Sequence, residues 1–236
     1  EVSVVGDISR EDAANLVARY IGSLPPRERI SSSTLSGLRS MDRREGPVVV
    51  DRTIASLSPT SFVFGGFYNV DDADVDGVLK MQIAAQILRS RMIQVLREER
   101  GLVYSIGAVS LPAESFPGFG RFYAASPAEP GKADDLASGI HEMFAEFAKN
   151  GPTAEELETA KLQLANLADE TMKEPSFWTQ RLQDLTYRAR SLNDVVELPQ
   201  RLQTYSGDEI RKTFARYYRP ENRFTFIIRP DSPGEG

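Results

Sequence analysis

Two side chains with complementary hydrogen-bonding chemistry, Arg97 and Tyr104, stand with six residues between them in the stretch 96–105. A guanidinium donates through a planar fork and stays charged at every working pH, whereas a phenol donates through one hydroxyl. Both suit the negative charge that builds on a carbonyl oxygen during peptide-bond hydrolysis, where each well-aimed donor contributes on the order of 3–4 kcal/mol. The pair is therefore the first candidate site.

Each of these two residues also has a purely structural interpretation. Arg97 lies near the end of a predicted helix, where the helix dipole favours a cation. Tyr104 follows the predicted helix stop at Gly101 and would then be an aromatic residue of the core. Spacing alone leaves the catalytic and the structural interpretations open.

Metal chemistry is restricted by composition, because the 236 residues include no Cys and one His, His141. A catalytic zinc takes about three protein ligands, mostly His, and keeps one position for water. This chain alone therefore predicts no metal site. The acidic run 71–76 resembles a calcium loop only superficially, since Gln82 stands where the loop needs a bidentate Glu, and a helix N-terminus is the better interpretation.

Charge and hydropathy exclude further classes of protein. Lys+Arg 28 against Asp+Glu 34 leave a formal net charge of −6, so a general nucleic-acid-binding surface is not predicted. No stretch reaches the roughly 18 consecutive apolar residues of a membrane-spanning helix. Residues 1–7 lack the features of a signal peptide and predict a β-strand instead, which indicates a segment of a longer protein or one half of a two-chain assembly.

Periodicity and caps predict the elements that position the candidate pair. A helix over about 75–100 ends at Gly101 and a strand follows over 102–110, so a helix-to-strand corner carries both side chains. Residues 23–46 predict an extended linker. Further strands are predicted over 47–51, 61–67, 120–125 and 223–229, and helices over 9–21, 134–149, 154–173, 175–185 and 206–217. Strands in pairs predict an α+β fold, a mixed, largely antiparallel sheet with helices packed on it.

Phe64, Gly65 and Gly66 belong to the second of these strands, which has the composition of an exposed edge strand. An edge strand can pair with an extended peptide by β-augmentation. These three residues are therefore candidate substrate-binding residues.

Four segments in sequence order resemble the pitrilysin/insulinase family, the inverted-motif zinc peptidases that include mitochondrial processing peptidase. Residues 96–105, LREERGLVYS, resemble the family's LRE-x-x-GLAYS signature, with Arg97 and Tyr104 at its Arg and Tyr. The others are VVGD followed by YIGSLP within 4–25, GPTAEELETAK at 151–161 and ARYYRPEN at 215–222. The four segments are spread over nearly the whole length of the chain. Together they resemble the zinc-less C-terminal half-domain of this family.

The resemblance implies a partner, a cofactor outside this chain and roles for the candidate pair. The family's zinc motif H-x-x-E-H is absent, because no second His follows His141-Glu142. The resemblance therefore implies a zinc held by a partner half, in the same parent chain or in a separate subunit. Arg97 and Tyr104 then anchor and polarise the backbone of a peptide substrate opposite that zinc, and this chain alone is inert.

The two ends of the chain resemble each other, since a strand with Gly6-Asp7 opens it and a strand with Pro230-Asp231 closes it. We expect 1–46 to be the end strand, helix and linker of a preceding repeat, and 47–236 to be the zinc-less C-terminal peptidase half-domain. An alternative is a member of the same family that has lost catalysis and serves as a scaffold or peptide-binding subunit. The long bacterial members lead us to expect a periplasm or envelope location.

Overall fold

The computed structural model describes residues 2–28, 30–44, 46–183, 185, 188 and 190–231, with the backbone alone at Ser32. These residues form two compact units. The first comprises Glu1–Gly37 with Leu162–Thr204, and the second comprises Leu38–Lys161 with Tyr205–Gly236. The predicted division at residue 46 concerns the repeats of a parent protein, and it stays a prediction.

Helices and strands follow the chain in an order close to the predicted one. The described residues form α1 (Arg10–Tyr20), β1 (Val48–Ile54), β2 (Ser61–Asn69), α2 (Val75–Met92), β3 (Gly107–Leu111), β4 (Gly120–Ala128), α3 (Ala133–Asn150), α4 (Ala154–Thr171), α5 (Pro175–Leu182), α6 (Leu192–Val196), α7 (Leu198–Thr204), α8 (Gly207–Tyr217) and β5 (Arg223–Pro230). Within this described part, no helix combines the length and the apolar character needed to cross a bilayer.

Two expectations for the N-terminal region are wrong. Residues 2–5 form no strand, and Val2 and Val4 are 52% and 50% exposed. A strand needs a hydrogen-bonded neighbour, and no described strand pairs with these residues. Residues 23–46 are not wholly extended, because Ser32–Arg39 forms a 3₁₀-helix.

Predicted caps are present at three helix starts. The Ser9 hydroxyl accepts a hydrogen bond from a first-turn amide of α1. Thr153 and Glu156 bond each other's amides reciprocally at the start of α4, at 2.7 and 3.2 Å. Ser206 and Glu209 do the same at the start of α8. Because an N-cap is worth about 1 kcal/mol, side chains close in sequence determine where these helices begin.

One five-stranded mixed sheet organises the second unit, in the order β1-β5-β2-β4-β3. β1 and β5 run parallel, and the other neighbouring pairs run antiparallel. This arrangement confirms the predicted α+β class with a largely antiparallel sheet. β1 and β3 pair on one side only and are therefore the two edges, whereas β2 lies between β5 and β4.

The core of the second unit lies between the sheet and helices α2, α3 and α8. Alternation along β2 directs Val63 and Phe67 to the helices, and both are fully buried. The Phe67 ring packs edge-on against Phe144 of α3 and Phe214 of α8, with ring centroids 5.6 and 5.0 Å apart. Truncating such a ring to alanine typically costs about 3–5 kcal/mol, so this cluster holds the helices against the sheet.

A cluster of charges around Arg91 ties α2 to α3 and α4. The guanidinium donates to both carboxylate oxygens of Glu156 and to the Gly151 carbonyl, and it also pairs with Glu146. The Arg91 side chain is 16% exposed, so water and salt screen these bonds only partly. The hydrogen bonds from Arg91 lower the pKa of Glu156 from its ordinary 4.5 to about 2.

Acid is expected to destabilise the protein through this pair. A carboxyl with a lower pKa in the folded chain stabilises the fold above its unfolded pKa, and that contribution disappears as the pH falls toward the folded value. Between pH 4.5 and about pH 2, the wild type should therefore lose more free energy of unfolding than Glu156→Gln. Urea denaturation at stepped pH measures this loss. Glu155→Gln removes a carboxylate that no described residue binds and should follow the wild type, whereas parallel profiles for wild type and Glu156→Gln would contradict the assignment.

Candidate functional site

Helix α2 continues into a π-helical segment, Ile93–Glu99, which carries Arg97 to the surface. The Arg100 amide donates to the Val95 carbonyl, five residues back, as in a π-turn. Leu96 is fully buried, whereas Arg97 is exposed. The sequence predicts a plain helix here, because a π-turn has no distinct residue pattern. Such turns are frequent at functional sites.

Tyr104 lies in an irregular segment between this helix and β3. Gly101 ends the helix with φ +60°, a left-handed conformation that glycine adopts without strain. The strand predicted over 102–110 begins only at Gly107, so the placement of Tyr104 within a strand is wrong. The residues before Gly107 pair with no neighbouring strand, and the sequence pattern does not show where pairing starts.

The Tyr104 side chain projects from the surface and is 86% exposed. Val103 and Ile106, on either side of it, are 9% and 7% exposed and anchor the segment. A side chain with this exposure is not part of a core. The structural interpretation of Tyr104 as a core aromatic is therefore excluded.

Arg97 and Tyr104 contact each other. The guanidinium carbon of Arg97 lies 5.7 Å from the centroid of the Tyr104 ring, within cation–π range. In the part of the chain that the structure describes, no carboxylate pairs with Arg97 and no group hydrogen-bonds the Tyr104 hydroxyl. The two donors are thus adjacent, exposed and open to a ligand.

Two neighbouring charged residues at this helix end, Glu99 and Arg100, interact with other groups. Arg100 pairs with Glu142 of α3 at 3.0 Å, and Glu99 accepts a hydrogen bond from Gln94 at 3.3 Å. Arg97 therefore differs from the other basic residues of the helix end in having a tyrosine ring as its neighbour. Its exposed position also agrees with a charge that the helix dipole favours, so that interpretation of Arg97 stays open.

The prediction of a free edge at Phe64, Gly65 and Gly66 is wrong. β2 pairs along both sides, with Phe64 opposite Ala125 of β4 and opposite Phe226 of β5. Its backbone hydrogen bonds are used within the sheet, so a peptide cannot be added to it by β-augmentation. Composition does not distinguish a central strand from an edge strand, because both favour aromatic and β-branched residues.

These residues shape the sheet instead. The Phe64 ring stacks on Tyr123 of β4, with centroids 4.3 Å apart. At Gly66, a Cβ would collide with the ring of Phe224, so only glycine lets that ring lie across the strand. The candidate site therefore reduces to Arg97 and Tyr104.

His141 lies half-buried on α3. Its Nε2 is 2.8 Å from the Thr225 hydroxyl, and the Tyr218 hydroxyl donates to its backbone carbonyl. Burial, reinforced by the charge of Arg223, lowers the pKa of His141 from 6.5 to about 4, so the ring is neutral at pH 7. No group of three or more His, Cys, Asp or Glu side chains among the described residues is placed to hold a metal ion.

A groove of about 350 Å³ between the edge strand β1 and helix α3 has no signal in the sequence. Its lining includes Val49 of β1, His141 of α3 and Arg223 of β5. The groove exists because β1, and no other strand, lies at this edge of the sheet. That choice is made by pairing between residues far apart in the chain.

Known families include one that matches most of this chain. The family described as peptidase M16 inactive domain matches residues 1–164, which is more than half of the sequence. No curated protein matches the sequence significantly.

Several solved structures share the fold at low sequence identity. The peptidase M16 inactive domain from Pseudomonas fluorescens has a TM-score of 0.76 at 19% identity and covers 98% of this chain and 54% of that chain. A protease from Helicobacter pylori has a TM-score of 0.78 at 15% identity, covering 96% and 54%. The periplasmic protease PqqL from Escherichia coli has a TM-score of 0.71 at 15% identity, covering 96% and 25%. The chain thus spans about half the length of the first two and a quarter of the third.

The family match and the shared fold agree with the resemblance that the four motifs indicate. The match includes the segment with Arg97 and Tyr104, and the fold likeness extends beyond it to 98% of the chain. The resemblance to a zinc-less peptidase half-domain is confirmed. The chain belongs to the M16 peptidases, and it is an inactive half-domain of that family.

Proposed function

We propose that this chain is the non-zinc half of a zinc metallopeptidase, in which Arg97 and Tyr104 act on a peptide held at the zinc of a partner half. The contact between these two exposed side chains carries the proposal. With 5.7 Å between the guanidinium carbon and the ring centroid, a charged fork and a phenol hydroxyl can converge on neighbouring carbonyl groups of one peptide.

Arg97 and Tyr104 have different roles in binding the substrate. The Arg97 fork anchors the peptide by donating parallel N–H groups to its backbone carbonyl oxygens. The Tyr104 hydroxyl donates to the carbonyl oxygen on which negative charge builds during hydrolysis. Neither side chain activates water, and a zinc bound in the partner half would supply that chemistry.

Buried neighbours position both donors. Leu96, fully buried, fixes the turn that carries Arg97, and the buried residues Val103 and Ile106 hold the backbone on either side of Tyr104. Fixed positions reduce the freedom that the donors lose when a substrate binds. The free edge β3 follows this segment directly, so a peptide strand added to β3 would run close to Tyr104.

The partner half and the location of the parent protein belong to the same proposal. The Pseudomonas and Helicobacter chains are nearly twice as long as the part matched, which leaves room for a second half in one polypeptide. The E. coli neighbour PqqL is described as periplasmic. From this likeness we propose that the parent protein of this chain is located in the bacterial periplasm or envelope.

The isolated chain is expected to retain no stoichiometric zinc and to hydrolyse no peptide, because its described residues offer neither a metal site nor a means to activate water. Metal analysis after dialysis and a fluorogenic peptide assay, with and without chelator, measure both properties. One tightly held zinc per chain, or hydrolysis that a chelator leaves unchanged, would overturn the assignment of the zinc to a partner half.

The complete protein provides the matching positive test. It should hydrolyse the same fluorogenic peptide and lose this activity when a chelator removes its metal. A complete protein that holds no zinc and binds peptide without cleaving it would instead be a scaffold or peptide-binding member of the family.

A further inference from the structure

The groove between β1 and α3 takes no part in the proposed function. Its volume is about 350 Å³, and all of its residues belong to the second unit. Its lining is apolar at Val49 of the edge strand and Ala137 of α3, and polar at Arg223 and Thr225 of β5 and His141 of α3. An apolar surface with a few convergent polar groups is the usual composition of a ligand site.

Arg223 brings an uncompensated positive charge to this groove. Its guanidinium lies over the Tyr218 ring, 4.2 Å from the centroid. Throughout the described ranges, no carboxylate pairs with it, and its Nε is buried without a hydrogen-bond partner. The Nε atom is closed to solvent, whereas the residue as a whole is half-buried, so a carboxylate in the groove is expected to bind the Nη groups of the guanidinium.

The lack of a carboxylate at Arg223 does not reflect a shortage of acids. The chain has more Asp and Glu than Lys and Arg, 34 against 28. At the far end of the same strand, Arg229 is satisfied by Asp51 at 2.8 Å and by Asp134 at 2.7 Å. Strand β5 thus carries one arginine paired within the fold and one whose charge faces the groove.

His141 and Thr225 add neutral hydrogen-bonding groups beside this charge. The His141 Nε2 and the Thr225 hydroxyl oxygen lie 2.8 Å apart. Because the lowered pKa of His141, about 4, keeps its ring neutral at pH 7, Arg223 alone supplies positive charge among the described lining residues. None of those lining residues is acidic, so the groove favours a ligand that brings negative charge.

The free edge of β1 indicates the shape of that ligand. β1 pairs with β5 alone, so its outer row of backbone N–H and C=O groups has no partner strand in the sheet. Val49, on this strand, is 68% exposed. A further strand would satisfy the backbone groups and cover Val49.

We propose that the groove binds an extended acidic peptide segment, which adds a strand to β1 and places a carboxylate against Arg223. The guanidinium takes the carboxylate through charge-assisted hydrogen bonds, and main-chain pairing with β1 adds affinity. A small anion would use Arg223 but leave the strand edge and Val49 uncovered. The groove shares no residue with Arg97 and Tyr104, so this proposal and the proposed function fail or hold separately.

The single His of the chain makes the binding measurable. His141 lines the groove, and its imidazole signals in a two-dimensional NMR spectrum belong to one residue. The probe is a short capped peptide of alternating Val and Glu, and its control is the same peptide with Gln for Glu. Acetate at the same concentration tests the carboxylate alone. The acidic peptide is expected to shift the His141 signals in a saturable way, with at least tenfold higher affinity than the Gln peptide or acetate.

Variants test the role of Arg223. Arg223→Gln should weaken binding of the acidic peptide by tenfold or more, whereas Arg121→Gln, an exposed arginine of β4, should leave it unchanged. Arg223→Lys keeps a cation beside Tyr218 and covers the case in which Arg223→Gln fails to fold. It should bind with intermediate affinity, since it loses the planar fork.

Four results would overturn the proposal. They are no shift of His141, equal affinity for the Glu and Gln peptides, acetate binding as tightly as the peptide, or an equal loss of binding in Arg223→Gln and Arg121→Gln. The first would exclude a ligand in the groove and the second would exclude recognition of charge. The third would leave an anion site without a peptide strand, and the fourth would indicate attraction by net charge alone.

Discussion

In the complete, zinc-loaded protein, Tyr104→Phe is expected to lower kcat by roughly 10²–10³-fold and to leave the melting temperature nearly unchanged. The substitution removes one hydroxyl and keeps the ring against Arg97. Because Tyr104 is 86% exposed and its hydroxyl has no partner among the described residues, the fold loses no hydrogen bond. The loss therefore falls on the transition state, which is where a donor to the developing oxyanion acts.

Steady-state kinetics and thermal unfolding on the same Tyr104→Phe sample check this expectation. Tyr20→Phe is a matched control, since Tyr20 is 61% exposed and also has an arginine, Arg19, over its ring at 5.5 Å. The control should keep wild-type kcat. An unchanged kcat in Tyr104→Phe would remove Tyr104 from the catalytic machinery and favour the scaffold alternative.

Arg97→Lys is expected to raise KM and lower kcat together, with kcat/KM falling by roughly tenfold to a hundredfold. Lysine keeps the charge but loses the planar fork that holds two backbone acceptors at once. A role limited to the helix dipole predicts a different result, because lysine satisfies the dipole as well as arginine does. The kinetics of this one variant therefore distinguish substrate anchoring by Arg97 from a charge that only favours the helix dipole.

Arg100→Lys is the control for this experiment. Arg100 lies three residues away on the same helix end and pairs with Glu142 at 3.0 Å, a surface ion pair that lysine can also form. Its kinetics should match the wild type. Wild-type KM and kcat in Arg97→Lys would contradict substrate anchoring and leave Arg97 as a helix-end charge.

Features that depend on neighbouring residues could be predicted from the sequence. The capping pairs Thr153 with Glu156 and Ser206 with Glu209 are present, because their hydrogen bonds span three residues. The β-branched and aromatic residues over 61–67 correctly predict the strand β2.

Features that depend on distant pairing could not be predicted. Whether β2 is an edge or a central strand is decided by β4 and β5, which lie far along the chain, so the prediction of an edge strand at Phe64 is wrong. Pairing with distant residues also explains why the strand predicted at residues 2–5 is wrong. These residues have the composition of a strand, but no described strand pairs with them. The unsatisfied Nε of Arg223 has no signal in the sequence, because it depends on the residues that surround Arg223 in the folded chain.

The sequence identifies the two residues of the candidate site, but it does not predict the backbone that presents them. Spacing and the family motif pointed to Arg97 and Tyr104, and the structure adds that a π-helical turn and an irregular segment present them together. The exposure of Tyr104 is the part that matters most, since it removes the core interpretation that the sequence left open.

The central claim, that Tyr104 acts on the transition state, is tested most directly by an inhibition constant. A phosphinic peptide carries a tetrahedral anionic group in place of the scissile amide, and such transition-state analogues bind more tightly than substrates. The ratio of inhibition constants for Tyr104→Phe and wild type should be roughly 10²–10³, matching the fall in kcat, while the KM of the amide substrate stays close to that of the wild type. Equal inhibition constants for the two proteins would contradict the claim.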